Sequence, residues 1–283
     1  AEDPQPHPVG GVQCVFEYTV DGELVASTRD PIPPPFDINF PEESEHELTI
    51  VCWDALGNEV RDIETFLVDK TPPVTEKEYV GPFFSDGPIH WISNKTNVTL
   101  SAEDTDQPHP SGVNATYWRN TLVDDENCWN ERLCELNATG SGNWNLYTGP
   151  FQKQEQSCHL IEFFSVDNVN KTEQVNKQCV FVDLTPPLPN KTVGEPKEVW
   201  DGSDSIFYPN ETEHCWDGSG NEIECWKVTI KTPISLQCTD PDPHPVDNEN
   251  VCFKVDFDGD DITQNYCDRF GGNYNNTGDG YCC

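Results

Sequence analysis

Two short proline-containing motifs recur along the chain and constrain its fold more than any other feature. Acidic residues followed by Pro-His-Pro occur three times, centred on His7, His109 and His244. The pattern Val-Asp-x-Thr-Pro-Pro occurs at 68–73 and again at 182–187, 114 residues further on. Recurrence of both motifs in the same order indicates copies of one structural module.

The motif positions divide the chain into three predicted modules. The boundaries follow the two Thr-Pro-Pro segments, which we interpret as stiff joints because proline fixes its own backbone. The predicted modules are 1–73, 74–187 and 188–283.

Each module is expected to consist of short strands. Val98, Leu100 and Ala102 alternate with polar residues, and so do Ile234, Leu236 and Cys238. This period of two is typical of half-buried β-strands, whereas no apolar stripe at helical spacing occurs in the sequence. The prediction is an all-β protein built from tandem β-sandwiches.

Aspartate and asparagine also predict a turn between two of these strands. They occur at 167–168, directly after a β-rich run, and their side chains can bond to the backbone of a turn. This segment is therefore expected to be a hairpin.

The first and last modules are predicted to be incomplete. The first lacks the strand that precedes the Pro-His-Pro motif in the second module, and the third lacks the closing hairpin. Two interpretations stay open. The chain is a window from a longer repeat protein, or a neighbouring chain completes each open end by strand addition.

The net charge excludes two classes of partner. The chain has 51 acidic and 16 basic residues, a formal charge of −35. Binding to nucleic acid or to an anionic membrane depends on lysine and arginine, so neither partner is expected. No apolar run is long enough for membrane insertion.

Cysteine usage and glycosylation motifs point to export. Thirteen cysteines without a zinc-type pattern favour an oxidising, extracellular location. Eight Asn-x-Thr motifs support the same interpretation as acceptors of N-linked glycans. They are Asn94, Asn97, Asn114, Asn137, Asn170, Asn190, Asn210 and Asn275.

Eight cysteines are assigned to four predicted disulfides by their position in each module. The pairs are Cys14–Cys52, Cys128–Cys134, Cys158–Cys179 and Cys215–Cys225. The five cysteines that remain are an odd set, so one of them has its partner elsewhere or stays a free thiol. These five are Cys238, Cys252, Cys267, Cys282 and Cys283.

Clustered aspartates are the candidate metal ligands. Oxygen-rich loops suit Ca²⁺, although a solvated acidic surface is the simpler interpretation for a chain of this charge. The candidate ligands are Asp104, Asp106, Asp240, Asp242, Asp256, Asp258 and Asp260.

Other side chains give weaker indications. The Pro-His-Pro histidines could bind a transition metal, but a rigid extended linker is the favoured interpretation. Exposed tryptophans could form a carbohydrate site, although core residues are the favoured interpretation. The candidates are Trp118, Trp129, Trp144, Trp200 and Trp216. No phosphate-binding loop, Ser-His-Asp signature or metalloprotease motif is present, so we do not expect an enzyme, and a secreted hydrolase ranks last.

The second module resembles a known family. Its segments 98–104, 111–113, 147–151 and 159–168, with the closing Val-Asp-Leu-Thr-Pro-Pro, are similar to Ig-like repeats of large prokaryotic surface proteins, including OmpL47-type and archaeal repeats. The resemblance implies tandem Ig-like sandwiches in an elongated arrangement, used as spacers, surface-layer units or filament subunits. The expected function is therefore a structural module that contacts copies of itself or neighbouring repeats. The alternative is an adhesin that binds carbohydrate or a partner protein.

Overall fold

A computed structural model gives the fold of most of the chain. The residues that the structure describes are 4, 10–28, 30–31, 37–87, 89–105, 108–123, 134–135, 138–199, 215–216, 222–223, 225–241, 245–246, 249–257, 259–274 and 280–283.

The protein is mostly β-structure, as the sequence predicts. The described part holds twenty strands and one helix, and the chain divides into two compact units, Ala1–Val182 and Asp183–Cys283. The second unit begins close to the boundary predicted at 188. The first unit contains both the first and the second predicted module.

The first predicted module folds as one antiparallel sheet. Its strands are β1 (Gln13–Val20), β2 (Glu23–Ser27), β3 (Glu45–Trp53) and β4 (Glu59–Leu67). Their order is β2-β1-β3-β4, and Cys14 lies opposite Cys52 across β1 and β3.

The second predicted module has two layers. The strands are β5 (Val74–Val80), β6 (Phe83–Asp86), β7 (Ile89–Ile92), β8 (Asn97–Glu103), β9 (Val113–Val123), β10 (Asn145–Leu146), β11 (Ser157–Asp167) and β12 (Asn176–Val182). One layer is a six-stranded sheet in the order β10-β9-β11-β12-β7-β6, and the other is the pair β5-β8. Within the described residues of this module, the pairing of β12 with β7 is parallel and the other pairings are antiparallel.

One of the two core clusters of this module lies between the two layers. Val98 and Leu100 of β8 are buried against Ile161 and Phe163 of β11 and against Val180 of β12. The alternation that predicted strand β8 therefore places its apolar residues on the sheet, and burial of these side chains is the main stabilising contribution.

The same local structure recurs in β3–β4 and β11–β12. His46 Nε2 lies 3.0 Å from the carbonyl oxygen of Glu42, four residues earlier, and His159 Nε2 lies 2.9 Å from that of Glu155. At the turns, Asp54 Oδ1 accepts two backbone N–H groups, as does Asp167 Oδ1. These aspartates stabilise the turns because their side chains bond to the backbone two and four residues on.

The second unit contains short sheets and the helix. Its strands are β13 (Leu188–Val193), β14 (Lys197–Val199), β15 (Cys215–Trp216), β16 (Glu222–Ile223), β17 (Trp226–Val228), β18 (Ile234–Thr239), β19 (Asp256–Phe257) and β20 (Asp260–Asp261), followed by helix α1 (Thr263–Phe270). The strands form the antiparallel pairs β13-β18, β14-β17, β15-β16 and β19-β20. Gly271 ends α1 in the left-handed conformation that favours glycine.

A second local structure occurs in both units. The Thr96 hydroxyl donates to the carbonyl of Pro82, and the Thr232 hydroxyl donates to that of Pro196. In both places the threonine side chain also accepts a backbone N–H three residues before it. The strands around these turns are β5–β8 in one case and β13, β14, β17 and β18 in the other.

Among the described residues, no helix is both long and apolar enough to cross a lipid bilayer.

Candidate metal centre

Three aspartates from separate segments of the first unit converge. One carboxylate oxygen from each of Asp69, Asp104 and Asp167 lies within 4.8 Å of the others, and all three residues are buried. We call this group the aspartate cluster. It joins the closing segment of the first predicted module to the ends of two strands, β8 and β11, of the second.

Backbone hydrogen bonds hold each of these side chains in place. Asp69 accepts the N–H groups of Thr71 and Ser111, and Asp104 accepts that of Gly112. Asp69 therefore bonds both to the Thr-Pro-Pro segment and to the loop after the Pro-His-Pro motif. The repeated motifs of the sequence provide the frame of the cluster.

Asp167 contributes a carboxylate oxygen that lacks a donor. Asp167 is 0% exposed, and its Oδ1 accepts the N–H groups of Val169 and Lys171. Its other oxygen, Oδ2, has no hydrogen-bond partner among the described residues. A buried, unpaired carboxylate oxygen is costly, so a positive charge at this point would be strongly favoured.

Repulsion between the carboxylates adds to this cost. Two unit charges about 5 Å apart repel by roughly 3 kcal/mol in a surface-like dielectric environment. By contrast, the buried carboxylate of Glu162 has Arg119 Nε at 2.7 Å and Lys177 Nζ at 3.5 Å. Three carboxylates suit a hard divalent cation such as Ca²⁺, with further oxygens supplied by backbone or water.

The aspartate cluster contains one predicted ligand and two that sequence reasoning missed. Asp104 was predicted, whereas Asp69 was interpreted only as part of a joint and Asp167 only as a turn residue. Both missed residues lie in motifs that occur twice, and this recurrence was the available signal.

The other predicted ligands do not join a convergent group in the described part of the chain. Asp240 is half-buried, and its Oδ2 accepts the N–H of Val246 at 2.8 Å. Asp256 and Asp260 are exposed on β19 and β20. Asp106, Asp242 and Asp258 lie outside the described residues.

Two of the predicted disulfides are wrong. Cys134 is bonded to Cys179, which excludes both Cys128–Cys134 and Cys158–Cys179. Cys158 is in a disulfide of its own, and its Sγ lies 3.5 Å from that of Cys134. Cys158 faces Phe181 across the ladder and Cys179 faces Leu160, so the two are not opposite each other. The sulfurs of Cys134, Cys158 and Cys179 lie close together, but all three residues are disulfide-bonded, so this group is not a metal site.

The remaining cysteines agree better with the sequence. Cys14 and Cys52 are paired as predicted, and Cys225 is in a disulfide, while Cys128 and the side chain of Cys215 lie outside the described residues. Of the odd set, Cys252 pairs with Cys283 and Cys267 with Cys282, which leaves Cys238 as a free thiol. Four disulfides with described partners indicate an oxidising environment.

The described glycosylation motifs lie mostly on the surface. Asn94, Asn114, Asn170 and Asn190 are exposed, and Asn97 is half-buried with its Oδ1 accepting the Gln152 amide at 3.0 Å. Asn137, Asn210 and Asn275 lie outside the described residues.

The candidate carbohydrate-binding tryptophans that the structure describes pack against other side chains of the first unit. Trp118 stacks on Phe151 at a centroid distance of 3.7 Å, and Arg119 lies over the ring of Trp144. Trp129 and Trp200, and the side chain of Trp216, lie outside the described residues, as do His7 and His244; His109 is half-buried.

Lys153 is buried beside the aromatic pair and has an altered pKa. Its ammonium lies 5.0 Å from the centroid of Trp118 and 5.1 Å from that of Phe151. Burial lowers its pKa from 10.5 to about 8, against an opposing effect of Glu155. Below pH 8 the Lys153 amine is protonated in both the folded and the unfolded chain, and its buried charge destabilises the folded state.

The Lys153→Met protein is therefore expected to be more stable at pH 7 by about 2 kcal/mol. The stability of the wild type should rise from pH 8 to 10.5, where only the unfolded state still binds the proton, and the variant should lose this rise. Urea unfolding at several pH values measures both effects, with exposed Lys95→Met as the control. A loss of stability at pH 7 would contradict the assignment.

A search against protein-family models and curated proteins finds no match for this chain.

Proposed function

We propose that this chain is a non-catalytic structural module of an extracellular assembly, in which neighbouring modules of the same kind complete its two open ends. The single observation that carries the proposal is the arrangement of layers. Residues 74–182 have a sheet and a covering strand pair. The described residues of the first predicted module form a sheet without such a pair, and in the described residues of the third the pair β13-β18, which matches the covering pair, belongs to no larger sheet.

Exposure supports the incompleteness of the third module. Val98 and Leu100 of β8 are 0% and 7% exposed, whereas Ile234 and Leu236, at the matching positions of β18, are 57% and 39% exposed. Isolated apolar side chains at a surface need no explanation, but here the apolar face of a strand pair is open. A sheet that covers this face would bury the side chains as β8 is buried.

The sheet of the first module is likewise less covered. Leu48, Ile50 and Phe66 share one face and are half-buried, whereas Ile161, Phe163 and Val180 in the second module are fully buried. Phe40 covers part of this face, with its ring 5.3 Å from that of Phe66. The recurring turns and histidine contacts support the interpretation that both sheets are copies of one Ig-like repeat.

The other features suit an exposed structural role. A divalent cation in the aspartate cluster would stiffen the connection between the first two modules. Disulfides and N-linked glycans would protect the chain from unfolding and proteolysis. The charge of −35 would keep an assembly soluble.

Self-association tests this function. Purified chain in 150 mM salt with 2 mM CaCl₂ should increase in mass from the 31.9 kDa protein component as concentration is raised, measured by light scattering after size exclusion. The glycan contribution is obtained from the mass after deglycosylation. A single monomer mass over the whole accessible concentration range would contradict the proposal.

A further inference from the structure

We propose that copies of this chain join head to tail: the strands β13, β14, β17 and β18 of one copy cover the sheet β1–β4 of the next. We call these the donor strands and the acceptor sheet. This inference rests on the proposed function and names both the partner, a second copy, and the surfaces in contact.

The second module shows how such a joint is built. Its strands β5 and β8 lie on the face of β9, β11 and β12 that holds Ile161 and Phe163. At the side of the sheet, β7 pairs in parallel with β12, so that Trp91 lies beside Phe181 and Ile92 beside Val182. The complete module therefore uses both a covered face and a paired edge.

The donor strands match the covering layer of that module. Pairing of β13 with β18 runs from Leu188↔Thr239 to Val193↔Ile234, as pairing of β5 with β8 runs from Val74↔Glu103 to Val80↔Asn97. The shared turn at Thr96 and Thr232 fixes the correspondence residue by residue. It matches Val98 with Ile234, Leu100 with Leu236 and Ile92 with Val228.

The acceptor sheet matches the covered layer. The His46 and His159 contacts and the Asp54 and Asp167 turns fix its correspondence with β11 and β12. Leu48 then corresponds to Ile161, Ile50 to Phe163 and Phe66 to Val180. Each chain thus carries a sheet in its first predicted module and covering strands in its third, the two layers that the second module combines.

Both strand edges needed for the joint are open among the described residues. β4 is the last strand of its sheet, and β17 pairs only with β14. Val68 corresponds to Val182, because both begin the Val-Asp-x-Thr-Pro-Pro motif. The register of β7 on β12 therefore predicts that Val228 of one copy lies beside Val68 of the next. Burial favours this because Val228 is 46% exposed whereas Ile92 is 3% exposed.

A glycan on the donor strands is compatible with this docking. Asn190 pairs with Gln237, and successive side chains on a strand point to opposite faces. Asn190 therefore lies on the face opposite Leu236, away from the acceptor sheet. A second copy would not have to displace the glycan.

The same register brings acidic side chains together. Asp54 of one copy would take the position of Asp167, beside Asp183 and Asp240 of the other copy, which match Asp69 and Asp104. This proximity would oppose docking unless a cation is bound, since like charges repel. The assembly test is therefore made with Ca²⁺ present.

Disulfide trapping tests the register. Two variants, Val68→Cys and Val228→Cys, are made in a Cys238→Ser background, so that the only described free thiol is removed. Residues side by side on paired strands have Cα atoms about 5 Å apart, within the separation that a disulfide spans, so mild oxidation should join them. Mixing the two variants should give a covalent heterodimer as the main product on non-reducing gels. Val199→Cys replaces Val228→Cys in the control, because Val199 is at least as accessible but lies on the strand that the acceptor does not pair with.

A second pair of variants tests the apolar face. Ile234→Asp with Leu236→Asp should weaken association at least a hundredfold, since each buried aliphatic side chain contributes a factor of about ten or more. Ile230→Asp, at a fully exposed turn, should leave association unchanged. Association without the Val68–Val228 cross-link, or unaffected by the double substitution, would overturn head-to-tail docking and leave the proposed function standing. A strictly monomeric protein would overturn both.

Discussion

Millimolar Ca²⁺ is expected to raise the unfolding temperature of the first unit in the wild-type protein by about 5–10 °C and to leave the Asp167→Asn protein almost unchanged. A ligand at a hundred times its dissociation constant stabilises the folded state by about 2.7 kcal/mol. For a unit of this size, 1 kcal/mol corresponds to roughly 2–4 °C. Differential scanning calorimetry with and without Ca²⁺ measures the effect.

In the presence of a chelator, the Asp167→Asn protein should have a higher unfolding temperature than the wild type. The amide of the Asp167→Asn side chain keeps an oxygen for the N–H groups of Val169 and Lys171 and offers an N–H₂ group to the two remaining carboxylates. The substitution also removes one of three repelling charges, so the variant should unfold above the wild type when no cation is present. Asp256→Asn, in an exposed acidic segment, is the matched control. An equal Ca²⁺ response of wild type and Asp167→Asn would exclude a cation at the aspartate cluster.

Removal of the Cys134–Cys179 bond is expected to have the second large effect. The double substitution Cys134→Ser with Cys179→Ser should lower the free energy of unfolding by about 2–5 kcal/mol. Both sulfurs are fully buried beside Leu160 and Phe181, so the hydroxyls would also be poorly accommodated. Urea unfolding monitored by near-ultraviolet circular dichroism measures the loss.

Thiol titration of the same double variant separates the two pairings. With Cys134 bonded to Cys179, the denatured variant has the same number of free thiols as the wild type. The pairing that the sequence suggested would leave two additional thiols, on Cys128 and Cys158. Cys238→Ser is the control, because it should remove one thiol and change stability little.

Local pattern made the strands and turns predictable. The alternation of Val98, Leu100 and Ala102 matches strand β8, and the Asp-Asn turn at 167–168 ends β11 as expected. Such features depend on neighbouring residues alone, because the period of two and the hydrogen bonds of an aspartate act over a few positions. The odd cysteine count likewise predicted a thiol without a partner in its own module.

Contacts between distant segments could not be predicted in the same way. The aspartate cluster gathers residues from the segment after β4, the position after β8 and the end of β11, which only the fold brings together. Cys134 reaches Cys179 because it packs on the face of the sheet that holds Cys158, far from its own neighbours in sequence. Spacing along the chain favours local loops, whereas the side chains that cover a sheet decide which sulfurs meet.

Hydrogen exchange of assembled and dilute protein tests most directly whether neighbouring copies complete the open modules. Amides at the free edges of β4 and β17 and in β18 should exchange at least tenfold more slowly in the assembled sample, while those of β5, β8 and β11 should not change. Exchange in β4, β17 and β18 that stays equally fast in both samples would show that these edges and faces remain uncovered, and would contradict completion by a second copy.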